Sequence, residues 1–125
     1  MEFFEELKMS GNANLYKSYI TFNKTLLPFL NDCYRVRIAS SKDDNKIYIF
    51  KVDKDLAESG EINPESLLKV TVTKTYARIC NSSLIRFLER QFNFDTPEKG
   101  FIRYDANFDE EKDALSIDMK SGVLK

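Results

Sequence analysis

The chain contains the stretch ITFNKTLLPFL at residues 20–30 and a related stretch, RICNSSLIRFL, at residues 78–88. A shift of 58 positions aligns the two stretches, and the aligned pairs are Asn23 with Asn81, Leu26 with Leu84, Phe29 with Phe87 and Leu30 with Leu88. Each copy reads as the end of a strand, an Asn, one or two hydroxyl residues and a short apolar helix. Asn, Ser and Thr favour helix N-termini because a side-chain oxygen can accept a hydrogen bond from a free backbone N–H. The duplication therefore predicts two related structural units in one chain.

The sequence around each copy predicts the rest of its unit. In the first unit, alternating residues 15–22 predict a strand, and residues 34–38 and 47–50 predict a β-hairpin with an acidic tip. In the second unit, residues 70–80 predict a strand, 82–91 a helix, 92–100 an inserted loop, and 101–106 with 114–119 a second hairpin. One such unit would have a marginal core alone, so we expect the two units to pack against each other.

These elements predict a single domain over residues 1–125. Its predicted parts are an N-terminal helical arm (1–11) that ends in a turn at Ser10-Gly11-Asn12, a first repeat (15–52), a connector without regular structure (53–66), a second repeat (68–120) and a tail (121–125). The expected fold class is α+β, mostly β, with two related β-α-β-β units and short helices packed into one barrel-like core. Within that core we expect Asn23 and Asn81 to cap helices, Phe29 and Phe87 to fill the two halves, and Cys33 and Cys80 to be buried.

Composition argues against several classes of chemistry. The chain has no His, which removes Cys/His zinc sites and His-dependent catalytic triads and dyads. Its four glycines are scattered and form no phosphate-binding loop. We therefore expect a non-catalytic protein with no cofactor and no metal. The two cysteines show no disulfide framework, and neither a signal peptide nor a membrane-spanning run is evident, so we expect a cytoplasmic protein without a membrane partner.

Charge is distributed unevenly along the chain. Residues 15–90 contain 13 Lys and Arg against 9 Asp and Glu, a balance of +4, whereas the two flanks contain 6 against 11, a balance of −5. The middle of the chain can therefore present a basic face, which permits nucleic-acid binding.

The repeat order resembles the AbrB/MraZ-like swapped-hairpin family, here as a tandem duplication in one chain. The first unit matches over Phe22-Asn23-Lys24 with Leu26 and Leu27, followed by Val36, Ile38, Ile47 and Ile49. The second unit matches over Cys80-Asn81-Ser82 with Leu84 and Ile85, followed by Ile102, Leu115 and Ile117. The resemblance covers about residues 15–51 and 68–120, and the chain is also similar to small bacterial proteins that share the strand–Phe-Asn-Lys–helix opening. The resemblance to the AbrB/MraZ-like family implies an interleaved barrel of two units and a DNA-binding, transcription-regulatory function.

Two functional hypotheses follow. In the first, the protein is a regulator that binds double-stranded DNA, and basic side chains near the repeated stretches contact phosphates: Lys24, Arg35, Arg37, Arg78, Arg86 and Arg90. The alternative for these residues is that they form solvated strand faces paired with Asp and Glu. In the second hypothesis, the protein is an interaction or assembly module without nucleic-acid binding, because its aromatic residues exceed what a small core needs. A homodimer formed through the N-terminal helix is one form of this module.

Overall fold

The computed structural model describes Met1 and residues 9–125. The helical arm predicted over residues 1–11 falls mainly on residues 2–8, which lie outside the described residues.

The described chain is mostly β, with a few short helices. Its strands are β1 (Ser10–Leu15), β2 (Tyr19–Asn23), β3 (Arg35–Ser41), β4 (Lys46–Val52), β5 (Thr71–Val72), β6 (Tyr76–Cys80), β7 (Ile102–Asp109) and β8 (Ala114–Leu124). Its α-helices are α1 (Leu27–Leu30), α2 (Lys54–Glu58) and α3 (Ser82–Phe92), and short 3-10 turns occupy Lys24–Leu26 and Pro64–Ser66. The predicted fold class, α+β and mostly β, is confirmed.

The two predicted units are visible in the element order. Strand β2, helix α1 and the β3–β4 hairpin form the first, and strand β6, helix α3 and the β7–β8 hairpin form the second. The units meet through two antiparallel strand pairs made of equivalent strands, β2 with β6 and β4 with β8. The complete sheet has the order β3-β4-β8-β7-β1-β2-β6-β5.

The sheet curls into a half-barrel, and a bridge connects its two ends. Val36 of β3 and Leu68, which precedes β5, exchange backbone hydrogen bonds of 2.9 and 2.8 Å. The segment from Leu68 to β5 therefore touches β3 at one end of the sheet order and β6 at the other. This closure leaves less unpaired strand edge than an open sheet would.

The equivalent apolar residues of the two repeated stretches fill the core. Leu26, Leu30 and Leu88 are fully buried, and Leu84 is nearly so. Each set recurs at helical spacing, so one side of each short helix faces the curled sheet. Phe29 is buried and packs on Phe108, with ring centroids 5.8 Å apart.

The equivalence of the two stretches is incomplete. Phe87 is only partly buried, so the prediction of two matching Phe plugs is confirmed for Phe29 alone. Asn81 caps α3 as predicted, because its Oδ1 accepts a 2.9 Å hydrogen bond from the Leu84 N–H. The Asn23 side chain makes no cap, and its Oδ1 instead accepts from the Asn12 N–H at 3.0 Å. Both cysteines are free. The predicted burial was wrong for Cys80, which is exposed, and Cys33 is only partly buried.

The predicted single strand over residues 15–22 was wrong, as was the turn at Ser10-Gly11-Asn12. The chain instead turns at Tyr16–Ser18, where the Tyr16 N–H donates to the Tyr19 carbonyl at 2.9 Å. Residues 10–12 are the start of β1 and pair with β7, whereas β2 pairs only with residues 13–15 of β1. On the side away from β7, the Asn12 N–H donates to Asn23 Oδ1 at 3.0 Å. These hydrogen bonds satisfy backbone groups of this Gly- and Asn-containing segment and override its poor strand propensity.

Three other boundaries differ from the predictions. The predicted strand 70–80 is a hairpin, because Thr73 donates its N–H to the Tyr76 carbonyl at 2.8 Å and turns the chain between β5 and β6. The predicted tail 121–125 mostly continues β8, which pairs again with the start of β7 after a bulge. The connector 53–66 contains α2 and a 3-10 turn, and Asp53 caps α2 by accepting from the Leu56 N–H at 2.8 Å.

Candidate nucleic-acid interface

The structure distributes the six predicted phosphate contacts over separate parts of the surface. Lys24 and Arg78 lie on or next to the β2–β6 strand pair. Arg35 and Arg37 lie on β3, at the far end of the sheet order, and Arg86 and Arg90 lie on α3. The six residues therefore do not form one basic face.

The surroundings of Arg86 and Arg90 contain acidic groups. Both line an open depression of about 390 Å³ whose lining also includes Glu89 and Asp95. Hydrogen bonds from the Thr96 N–H and hydroxyl, assisted by nearby cations that include Arg86, lower the pKa of Glu89 below its ordinary value. Glu89 is therefore ionised at neutral pH, and the mixed charges weaken the attraction of this depression for phosphate.

The two β3 arginines differ from each other. Arg35 donates from Nη1 to the carbonyl of Tyr34 at 2.7 Å and lies 4.3 Å from the centroid of the same Tyr ring. Its guanidinium is thus engaged with its own neighbour. Arg37 is exposed on the strand.

Arg78 belongs to a polar row that crosses the outer face of the sheet. On β6 it stands opposite Thr21 of β2 and Thr71 of β5. The row continues from Thr21 to Asn14 of β1 and then to Arg103 of β7. Arg103 donates from Nε to Asn14 Oδ1 at 3.1 Å, and Asn14 donates from Nδ2 to Thr21 Oγ1 at 3.3 Å. Because side chains alternate between the faces of a strand, the buried neighbours Ile20 and Ile79 point the other way.

Aromatic rings stack beside this polar row. The rings of Tyr16 and Tyr19 are nearly parallel, with centroids 4.4 Å apart and an interplanar angle of 15°. The Phe101 ring is tilted by 39° relative to the Tyr16 ring, and their centroids are 4.9 Å apart. Arginines flank the rings, with Arg78 5.8 Å from the Tyr19 centroid and Arg103 5.5 Å from the Phe101 centroid. Cation–π contacts of this kind orient guanidinium groups over aromatic surfaces. The outer face therefore combines aromatic and cationic groups in one place.

A groove of about 350 Å³ lies over the β2–β6 strand pair, and we call it the β2–β6 groove. Its lining includes Asn14, Tyr19, Thr21, Thr75, Tyr76 and Arg78. Tyr19 stands opposite Cys80 on the neighbouring strand and Tyr76 stands opposite Asn23, so the two tyrosines are four strand residues apart, about 13 Å. The described lining contains neither Asp nor Glu. The groove thus has a polar, cationic floor between two aromatic walls.

Burial perturbs two groups at this face. Desolvation, with a further contribution from Tyr19, raises the pKa of Tyr16, so its hydroxyl stays neutral at physiological pH. The Nε of Arg78 is buried and has no hydrogen-bond partner among the described residues. A buried donor without a partner costs about 1–3 kcal/mol. A bound acceptor that draws the guanidinium into a new position would allow this donor to be paired.

Sequence reasoning placed Arg78 among the phosphate contacts, but it missed Asn14, Arg103 and Tyr76. The turn at Tyr16–Ser18 was the missing signal. Once β1 and β2 are recognised as a hairpin, the alternation of polar residues places Asn14 and Thr21 on one outer face. The positions of Arg103 and Tyr76 depend on long-range strand pairing.

Among residues 1 and 9–125, no group of three or more acidic, Cys or His side chains is arranged to hold a metal ion. In the same part of the chain, no helix is long and apolar enough to cross a membrane.

Comparison with known proteins found no matching family model, no matching curated protein and no matching solved structure. The likeness to AbrB/MraZ-like proteins therefore stays a prediction.

Proposed function

We propose that this protein is a small, non-catalytic nucleic-acid-binding protein of regulatory type, similar in kind to the AbrB-like regulators, and that it binds through the β2–β6 groove. The observation that carries the proposal is the position of Arg78, which lies between two tyrosine walls with no carboxylate in the described lining. Arginine binds phosphate through several N–H donors, and aromatic rings bind the faces of bases. The groove offers both groups side by side.

The surrounding cations extend the same surface. Lys24 is exposed and directly follows Asn23, which lines the groove, and Lys74 directly precedes Thr75. Because Asn23 and Tyr76 are register partners, both cations lie at the Tyr76 end of the groove. Phosphates that leave the groove at this end would meet these cations. Arg86 and Arg90 contribute less in this proposal, because Glu89 and Asp95 share their depression.

The test is a salt titration of binding, measured by fluorescence anisotropy with labelled random-sequence DNA, both single-stranded and duplex. We expect micromolar binding whose affinity falls log-linearly with salt, since each neutralised phosphate contributes about 0.7–0.9 to the slope. Arg78→Ala should weaken binding about ten-fold and reduce the slope by about 1. Arg86→Ala is the matched control and should leave the affinity within about two-fold, because Arg86 lies among compensating charges.

Absence of binding at low salt by the wild-type protein would refute the proposal. Equal losses from Arg78→Ala and Arg86→Ala would refute the assignment to the groove. Thermal unfolding of each variant identifies any loss that follows from destabilisation.

A second candidate function, an interaction or assembly module, is favoured by one observation. Val123 and Leu124, near the end of β8, are 52% and 68% exposed. Apolar side chains at a surface strand end are suited to contact with another chain. Light scattering after size exclusion tests it: a homodimer that Val123→Ser with Leu124→Ser converts to monomer would support assembly, and a monomer at all concentrations would contradict it.

A further inference from the structure

We infer that the β2–β6 groove selects single-stranded nucleic acid over duplex, with a base stacked on Tyr76 and a backbone phosphate at Arg78. This inference rests on the proposed function and names the substrate class of the same site.

The shape of the groove favours a single strand. Proteins read duplex DNA by projecting a helix or a β-ribbon into the major groove. Here the polar and aromatic groups line a concave groove over the sheet, so part of the ligand, such as a base, must enter the groove. In a duplex the base faces are covered by their stacked neighbours, whereas in a single strand they are accessible.

The two aromatic walls have different roles. The Tyr19 ring has Tyr16 stacked at 4.4 Å and the Arg78 guanidinium at 5.8 Å, so its neighbourhood is already filled by the protein. Tyr76 stands on the other wall and is 38% exposed, which makes its ring the accessible stacking surface. The Tyr19 wall then serves to hold Arg78 in place.

The floor between the walls supplies hydrogen-bonding groups. Thr21 accepts from Asn14 and has a hydroxyl proton to donate, and Thr75 contributes a second hydroxyl on the Tyr76 side. Hydroxyl groups can donate to or accept from the edges of any base. This chemistry binds a base without choosing one, so we expect weak sequence preference.

The experiment compares four labelled 15-mers of one sequence by anisotropy: single-stranded DNA, single-stranded RNA, duplex DNA, and a DNA strand with abasic sites in place of its bases. We expect at least one of the two intact single strands to bind about ten-fold or more tightly than duplex. The abasic strand keeps its phosphates and should bind no better than duplex. The tighter of the DNA and RNA strands identifies the natural sugar.

Variants test whether the Tyr76 ring causes the preference for single strands. Tyr76→Ala should lose about five- to 150-fold in affinity for the single strand, the range of one base–aromatic stack, with little change for duplex. Tyr76→Phe keeps the ring and should retain the affinity. Tyr34→Ala removes a tyrosine that precedes β3, away from the groove, and should bind as the wild type does.

Two results would overturn the inference: duplex binding as tight as single-strand binding, or an unchanged single-strand affinity in Tyr76→Ala. If Arg78→Ala still weakened binding in either case, the proposed function would stand. Absence of binding to all four oligomers by the wild-type protein would overturn both. Because Tyr76 is partly exposed on a strand near the edge of the sheet, its variants should stay folded, and their circular dichroism verifies this.

Discussion

Replacing Gly11 with Ala should destabilise the protein although the position lies in an ordinary strand. A Cβ at Gly11 would overlap Asn23 Oδ1 and Thr25 Oγ1, and it would lie 3.0 Å from Leu26 Cγ. Asn23 Oδ1 accepts hydrogen bonds from the Asn12 N–H at 3.0 Å and from the Thr25 hydroxyl at 3.1 Å. The added methyl group therefore displaces the side chain that connects β1 to the start of the first helical segment.

The magnitude follows from these contacts. Overpacking of a filled site costs about 1–3 kcal/mol, and the two hydrogen bonds contribute about 1 kcal/mol each. The loss of unfolded-chain entropy on replacing Gly returns about 0.5 kcal/mol. We expect a net loss of about 2.5–4.5 kcal/mol in the free energy of unfolding. For a chain of this size, that loss lowers Tm by about 10–17 °C.

The assay is urea denaturation followed by circular dichroism, with Gly11→Ala made in two backgrounds. In the wild-type background the full cost should appear. In a background with Asn23→Ala and Thr25→Ala the overlapping oxygens are gone, so the cost of Gly11→Ala should fall below about 1 kcal/mol. An equal cost in both backgrounds, or a cost below about 0.5 kcal/mol in the wild type, would refute the crowding argument.

Two further predictions concern α3 and the loop after it. Asn81→Ala should lower the free energy of unfolding by about 1 kcal/mol, because the Leu84 N–H loses its hydrogen-bond acceptor, while Asn81→Asp should retain most of the stability. Chemical denaturation measures both variants, and equal losses of stability would contradict a capping role for Asn81. Glu89 accepts hydrogen bonds from the Thr96 N–H at 2.8 Å and from the Thr96 hydroxyl at 2.7 Å, and these bonds lower its pKa below the ordinary 4.5. The ionised carboxylate therefore stabilises the folded state fully above about pH 4.5. This stabilisation is lost as the pH falls through the lowered pKa of the folded state. Glu89→Gln should therefore cost about 1 kcal/mol at pH 7 and progressively less below about pH 4.5; a difference in unfolding free energy that stays constant between pH 7 and pH 3 would contradict it.

Local patterns in the sequence were sufficient for much of the fold. The spacing of Leu84 and Leu88 predicted the buried side of α3, and Asn81 predicted its start. Alternation predicted the β3–β4 and β7–β8 hairpins around their polar tips. These features depend on residues close together in sequence, where side-chain period and turn chemistry act directly.

Other local patterns gave the wrong result because distant pairing decided the structure. The segment Ser10-Gly11-Asn12 has turn chemistry, yet it becomes the start of β1 and pairs with β7. Asn23 occupies the position of a helix cap, yet its side chain accepts from Asn12 on the neighbouring strand. In both cases a partner far along the chain, or across a hairpin, offered the backbone a better hydrogen bond than the local alternative.

Local sequence patterns specify two related units, the residues that face the core within each helix and hairpin, and the place of Arg78 at the start of the second repeated stretch. The placement of Arg78, Tyr76 and Asn14 in one groove depends on tertiary pairing. These residues come from β6 and β1, and β2 lies between these two strands in the sheet. The period of a strand specifies which face a residue occupies, but the order of strands in a sheet depends on pairing between segments distant in sequence, and no local pattern encodes it.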